Sequence, residues 1–316
     1  MIGAAILQLF QFLLVLVLAP GLTGLVRKTK SRLQGRRGPS LLQPYRDLLR
    51  LLRKEAVIAE NASWVFRFAP YLTFTSLWLA AALIPTFAQR LPLSPIADLI
   101  ALVAIIGAAR FAMALAGLDI GTSFGGIGAS REMMIAALAE PAMLLVIFTA
   151  ALLLGTTSLP DIAGFLATTS VGLRVSLGLG LVALVIVAIA ENARVPVDNP
   201  ATHLELTMVH EAMVLEYSGR HLAVIELAGA LKLLLYISII ACIFVPWGLA
   251  PAGGSLRSYG IGMAAYVGKL AVGGTLLVLF ETSIAKMRVF RVPDFLGTAL
   301  MLSLLGVLLL FASRSY

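Results

Sequence analysis

Apolar runs about as long as a membrane is thick recur along this chain of 316 residues, near 2–25, 68–89, 95–117, 131–154, 172–191, 223–248, 261–285 and 294–312. A helix needs roughly 20 apolar residues to cross a hydrocarbon core of about 30 Å. The pattern therefore predicts an all-α polytopic membrane protein with about eight transmembrane helices, a single membrane domain over residues 1–316. A mean hydropathy of +0.98 excludes an ordinary soluble domain. The first run leads into a basic segment with no small-residue cleavage site, so it reads as a retained helix rather than a signal peptide.

The basic residues orient the chain. Of its 24 Lys and Arg, 17 fall in alternate loops, most of them between the first two runs, and only Arg90, Arg174, Arg257 and Arg314 lie in the others. A bias of this size places the basic loops in the cytoplasm and both termini outside. The same distribution argues against nucleic acid as the target of the net charge of +8 and for anionic lipid or a cytoplasmic partner. A lone Cys242 inside an apolar run permits no intrachain disulfide and no cysteine-held cluster or zinc site. Any redox metal must then belong to another polypeptide, and this chain is expected to bind no cofactor and no metal.

Between the runs, Tyr45, Leu48, Leu49 and Leu52 share one face of a short helix whose other face carries Arg46, Asp47, Arg50, Arg53 and Lys54. That is the pattern of an amphipathic helix in the membrane interface. Residues 121–131 are glycine-rich but lack the Lys-Ser/Thr ending of a phosphate loop and follow no strand, so they read as a flexible turn or a site of close backbone packing. Residues 199–217 read as a further helix, with Asn199 as N-cap, Pro200 as first helical residue and Gly219 near its stop. His203 and His210 share a face there, but Val214 stands where a zinc motif of the HExxH kind needs its second histidine. Hydrogen bonding near the membrane surface is the expected role, with a proton relay as the alternative.

Carboxylates concentrate where hydrocarbon should discourage them. Of 16 acidic residues, six (Glu191, Asp198, Glu205, Glu211, Glu216, Glu226) lie within one stretch that opens at the end of an apolar run. Asp98, Arg110, Glu132, Glu140, Lys232, Lys269 and Glu281 fall inside runs. An Asp, Lys or Arg at a helix centre costs about 2.5–3.5 kcal/mol, so these side chains should face the bundle interior or a hydrated cavity. Pro141 after Glu140 breaks a helical hydrogen bond beside a carboxylate. Mutual pairing that merely holds the bundle together is one reading; a proton or ion path is the other, and carboxylates on several runs favour it. Glu205 and Glu216 return to nearly one helical face about 16 Å apart, so water or other carboxylates would have to lie between them.

Several segments resemble one family. Gly38 and Pro39 followed by Leu41 through Asp47 and by Lys54 and Glu55 resemble the first signature of membrane subunit 1 of respiratory complex I. Glu191, Arg194, Pro196 and Asp198, then Glu205, Glu216, Tyr217 and Gly219, resemble its second, and Arg131 with Glu140 is similar to its fourth-span pattern. The resemblance implies a fold of about eight membrane helices at the junction of a redox arm and proton-pumping subunits. It implies an acidic passage through Glu140, Glu191, Glu205 and Glu216, to which Glu132, Glu211 and Glu226 are added as neighbouring carboxylates. It also implies that loops 26–67 and 192–222 dock the redox arm, with Arg36, Arg37, Asp47, Arg131, Arg194 and Asp198 shaping that face. Ser40 alone separates the Gly-Pro pair from Leu41, a shorter link than in quinone-reducing complex I. That link, with Tyr45-Arg46-Asp47 and Gly128 through Glu132, resembles the corresponding subunit of energy-converting group 4 NiFe hydrogenases of the formate hydrogenlyase and hydrogenase-4 kind. The function so implied is a non-catalytic membrane subunit of an oxidoreductase complex in a bacterial or archaeal cytoplasmic membrane. Its partners would be a NiFe large subunit, an iron–sulfur small subunit and antiporter-like membrane subunits, with the NiFe centre and iron–sulfur clusters in those partners. The alternatives are the quinone-site subunit of a complex I, a stand-alone ion antiporter and an inert anchor.

Overall fold

The computed structural model describes residues 2–168, 175–194, 209–251, 253–283 and 291–314. Its helices are α1 (Ile2–Leu33), α2 (Gln43–Leu52), α3 (Trp64–Leu83), α4 (Leu99–Asp119), α5 (Ser123–Leu154), α6 (Leu159–Thr168), α7 (Val175–Glu191), α8 (His210–Val214), α9 (Gly219–Phe244), α10 (Leu256–Ser283) and α11 (Val292–Arg314). Each of the eight apolar runs lies on a helix: α1, α3, α4, α5, α7, α9, α10 or α11. Six of these are long and apolar enough to cross a membrane, and α7 is a shorter apolar helix. Between residues 41 and 55 the amphipathic segment forms α2, which packs on α1 and α9 and is pinned where the Tyr45 hydroxyl donates to the Val17 carbonyl at 2.5 Å.

Five helices close a ring, with α3 against α4, α4 against α5, α5 against α7, α7 against α9, and α9 back against α3. Helix α11 packs outside α5 and α7, and α1 leads from α9 out to α10. The ring interior is lined by small and branched side chains such as Ala109, Ile106, Ala139, Val187, Ala228 and Leu231. These let the helices approach closely in a setting where van der Waals packing, not water exclusion, holds them together.

Local chemistry sets the helix ends. Ser63 begins α3 by accepting from the Val65 amide, and Thr122 begins α5 by accepting from Gly125. Asp98, which falls within an apolar run in the sequence, is the N-cap of α4: its carboxylate accepts from the amides of Ile100 and Ala101 and from the Thr157 hydroxyl. Burial pushes the Asp98 carboxyl up, but these donors outweigh it and hold it below the usual carboxylate range. At the same end of the bundle, buried Gln11 donates to the carbonyls of Ala82 and Ile84 at 2.8 and 2.6 Å, satisfying acceptors that the end of α3 leaves open.

The glycine-rich stretch after α4 is not a loop. From Ser123 it forms the first turns of α5, because a Cβ at Gly125 would strike the Gly117 carbonyl of α4 and one at Gly128 would lie 2.9 Å from Met213. Close packing is what these glycines permit. Gly219, the first residue of α9, has φ of 53° and presses against the Glu55 carbonyl, while Ser218 clips Val57 through its hydroxyl at 2.8 and 3.0 Å. A left-handed conformation costs an L-residue about 1–2 kcal/mol before any clash. Gly219→Ala is therefore expected to lower the melting temperature in detergent by several degrees; a melting curve like that of the wild type would show that the 55–57 segment yields freely.

Candidate functional site

Four of the ring helices bring charged side chains into its interior. Arg110 of α4 donates through one Nη to Glu140 of α5 at 3.0 Å and lies 2.6 Å from Glu191 of α7 through the other. Lys232 of α9 lies 3.0 Å from Glu191 and 3.9 Å from Glu132 of α5. Three carboxylates thus share two cations, with Glu191 at the centre and its side chain only 1% exposed. Tyr236, one turn beyond Lys232, is buried beside the cluster and donates to the Met143 sulfur at 4.0 Å. Each bare charge at this depth would cost several kcal/mol, which mutual pairing offsets. Neither Glu191 oxygen has a well-aligned hydrogen-bond donor, so each is held chiefly by charge attraction, one to Arg110 and the other to Lys232.

The position of Glu191 follows from where its helix ends. In the sequence it stands at an apparent membrane boundary, whereas the fold buries it inside the ring. Helix α7 ends at Glu191, beside Arg110 and Lys232, which lie at least nine residues from either end of α4 and α9, so its C-terminal end stops within the bundle.

Cavities flank this cluster on two sides. At the basic end of the bundle a cavity of about 390 Å³ is lined by Arg27, Lys30, Arg194, His210, Glu211, Glu226 and Glu281, among others. His210, Ile225 and Gly229 form a shared wall between it and a smaller cavity of about 40 Å³ inside the ring, which touches Glu132, Arg110 and Lys232. The smaller space is large enough to hold water, for which about 10–15 Å³ suffices. Arg110 in turn separates it from an apolar cleft of about 480 Å³ between α4 and α5 that opens sideways on Glu140. The Glu140 side chain is 41% exposed there, although it lies well inside a membrane-length helix.

The carboxylates picked out in the sequence therefore divide into three groups. Glu132, Glu140 and Glu191 meet in the network, and Glu211 and Glu226 line the large cavity next to it. Glu216 stands apart, accepting from the Thr122 hydroxyl at 2.5 Å at the start of α5. Glu205, Asp198, His203 and the proposed helix start at Asn199 and Pro200 lie outside the described residues; the described remainder of that helix is the short α8. Arg36 and Arg37 are exposed, and Asp47 is half-buried, held by Gln43 at 3.0 Å and Arg50 at 3.6 Å. Arg131 is half-buried next to Glu132. Arg194 reaches Glu281 at 3.4 Å, which Lys30 also binds at 2.6 Å, tying α1, α10 and the end of α7 together at the cavity rim.

Arg110, Lys232 and Glu281 stood out in the sequence as charges inside apolar runs, but nothing there joined them to the acidic stretch. Tyr236 carried no signal at all: one aromatic residue in an apolar run is ordinary. The spacing of Lys232 and Tyr236 on one face of α9 becomes informative only once Glu191 is known to face it.

The NADH dehydrogenase family matches residues 5–312 of the chain. Formate hydrogenlyase subunit 4 of Escherichia coli (strain K12) is 35% identical over 288 residues, which is 90% of this chain and 92% of that protein. Hydrogenase-4 component C of the same organism is 33% identical over 245 residues, covering 78% and 76% of the two chains. NADH-ubiquinone oxidoreductase chain 1 of Triticum aestivum is 28% identical over 243 residues, covering 73% of each chain. Among solved structures, a chain of the membrane-bound sulfane sulfur reductase (MBS), an archaeal respiratory membrane complex, shares the fold with a TM-score of 0.78 over 98% of this chain and 99% of that one, at 21% identity.

Proposed function

Because the chain belongs to the NADH dehydrogenase family, in its subunit 1 branch, we propose that it is the membrane subunit of a multisubunit energy-converting NiFe hydrogenase of the formate hydrogenlyase type. It anchors a hydrogenase arm and carries protons, or another coupling ion, through its interior. Relatives named as formate hydrogenlyase and hydrogenase-4 proteins match more of the chain, at higher identity, than the one named as a chain of NADH-ubiquinone oxidoreductase, which sets the complex I reading second. In this reading the NiFe centre and the iron–sulfur clusters belong to partner subunits. The basic end, with Arg36, Arg37, Asp47 and Arg131 around loops 26–67 and 192–222, faces the cytoplasm and docks them. The membrane is the bacterial or archaeal cytoplasmic membrane, with both termini on its outer side.

The observation that carries the proposal is the succession of ionisable groups and cavities: Glu211, Glu226 and His210 at the large cavity, then Glu132 and Lys232, then Glu191 and Arg110, then Glu140 at the lateral cleft. An inert anchor has no use for it. Apolar side chains of similar volume hold a bundle as well as a buried ion network does, and often better. Carboxylates and cations alternating along one interior line are what a relay of protons or other ions requires.

Affinity purification of the chain from its own membranes in mild detergent tests the proposal. A NiFe large subunit and an iron–sulfur small subunit should accompany it. Recovery with NADH-oxidising subunits and a quinone-inhibitor site would replace this reading by complex I. Ion transport by the purified chain alone in liposomes would replace it by an antiporter.

A further inference from the structure

Lys269 belongs to none of the arrangements described above. It sits 13 residues from the start of α10 and 14 from its end, about 20 Å from either along the helix axis. A four-carbon stem spans only a fraction of that distance, so the ammonium cannot snorkel to water at either surface. Among the described residues Lys269 makes no ion pair or hydrogen bond, and its ionisable neighbour is the buried thiol of Cys242 on α9. The one acid on its own helix, Glu281, lies 12 residues away and is already held by Lys30 and Arg194.

Helix α10 is also the least covered helix around this charge. It buries Gly262, Tyr266, Leu270, Gly274 and Val278, one stripe at a spacing of four that packs towards α1 and α9. Ile261, Val267, Val272, Leu276 and Leu279 are exposed, and Val272 and Leu276 flank Lys269 at i+3 and i+7. Cβ atoms placed at Gly260 and Gly268 would meet nothing, so a neighbouring backbone could come close on this side.

Lipid is a poor cover for this face, since a lysine at mid-depth in hydrocarbon costs about 2.5–3.5 kcal/mol. A second copy of the chain is poor as well, because a symmetric contact would set two Lys269 side chains against each other. Charge complementarity leaves one occupant. We infer that the exposed face of α10 seats a transmembrane helix of a partner membrane subunit, and that this helix presents an Asp or Glu to Lys269 at mid-depth. The inference rests on the reading of the chain as part of a multisubunit membrane complex, and adds which face holds a membrane neighbour and by what chemistry.

The test uses the intact complex. A photo-crosslinking residue at position 272 should join α10 to a membrane subunit in native membranes. Lys269→Leu should lower co-purification of that subunit about tenfold, the scale of an interhelical polar contact in membranes, while the soluble arm stays attached at the basic end. Lys269→Glu should abolish it, and Asp/Glu→Lys in the partner helix should restore it. Because Lys269→Leu removes a charge from a lipid-length helix, it should not impair insertion. Crosslinks to lipid or to a second copy alone, or a wild-type yield of the partner with Lys269→Leu, would overturn the inference. If the wild-type chain purifies with no partner at all, the complex reading itself fails.

Discussion

Arg110→Leu should destabilise the protein by about 3–5 kcal/mol, the usual consequence of removing one member of a buried ion pair and leaving the other. Glu140 loses the cation that holds it and Glu191 loses one of its two, because one Nη holds Glu140 and the other Glu191. Thermal melting in detergent, or the yield of folded protein from the membrane, reads the effect. Arg110→Lys should fall between the two: it keeps the charge, but a single ammonium cannot span both carboxylates as a guanidinium fork does. A melting temperature unchanged in Arg110→Leu would mean that the network is hydrated enough to dispense with the arginine. The charge cluster would then be a wet cavity rather than a paired core.

Glu191→Gln should remove at least nine-tenths of coupled ion movement while leaving the fold and assembly largely intact. The substitution preserves shape. Arg110 keeps Glu140 at 3.0 Å, and Lys232 keeps Glu132 at 3.9 Å, so neither cation is stranded. What disappears is the titratable group at the junction of the two pairs, which the proposed path uses between the inner cavity and the lateral cleft. Proton uptake by proteoliposomes containing the complex, set against hydrogen evolution by the same sample, separates coupling from catalysis. If proton uptake per hydrogen evolved is the same as in the wild type, the path does not run through Glu191, and the anchor reading gains. Glu216→Gln is the internal control. It lies away from the succession of cavities, bonded to Thr122, and should leave coupling unchanged.

Much of the architecture was legible because the bilayer is a strict selector. An apolar run of roughly 20 residues has few options, and all eight runs lie on helices, while the amphipathic segment forms the short α2. Local rules failed where packing supplied what propensity withheld. The glycines from Gly121 to Gly128 look like a turn in isolation, yet Gly125 and Gly128 are the surface on which α5 meets α4 and α8. Asp98 looks like a charge in a membrane until its carboxylate is found capping the helix that begins there.

For the site, the sequence by itself determined the inventory. It named Glu132, Glu140 and Glu191 as carboxylates too costly to face lipid, and it marked Arg110 and Lys232 as charges needing partners. Only the tertiary structure decided who partners whom. Glu140 could have matched Arg131, nine residues earlier on the same chain; it is bound instead by Arg110 from α4. Glu191 passed for an interfacial residue because hydropathy measures where an apolar run stops, not how deep its end lies. The fold buries it because α7 ends level with the middles of α4 and α9, and a ring of five helices joins side chains up to 100 positions apart within a few ångströms of one another. Pairing of that kind depends on helix order and tilt, which are set by small-residue contacts spread over the whole bundle, and no local pattern encodes them.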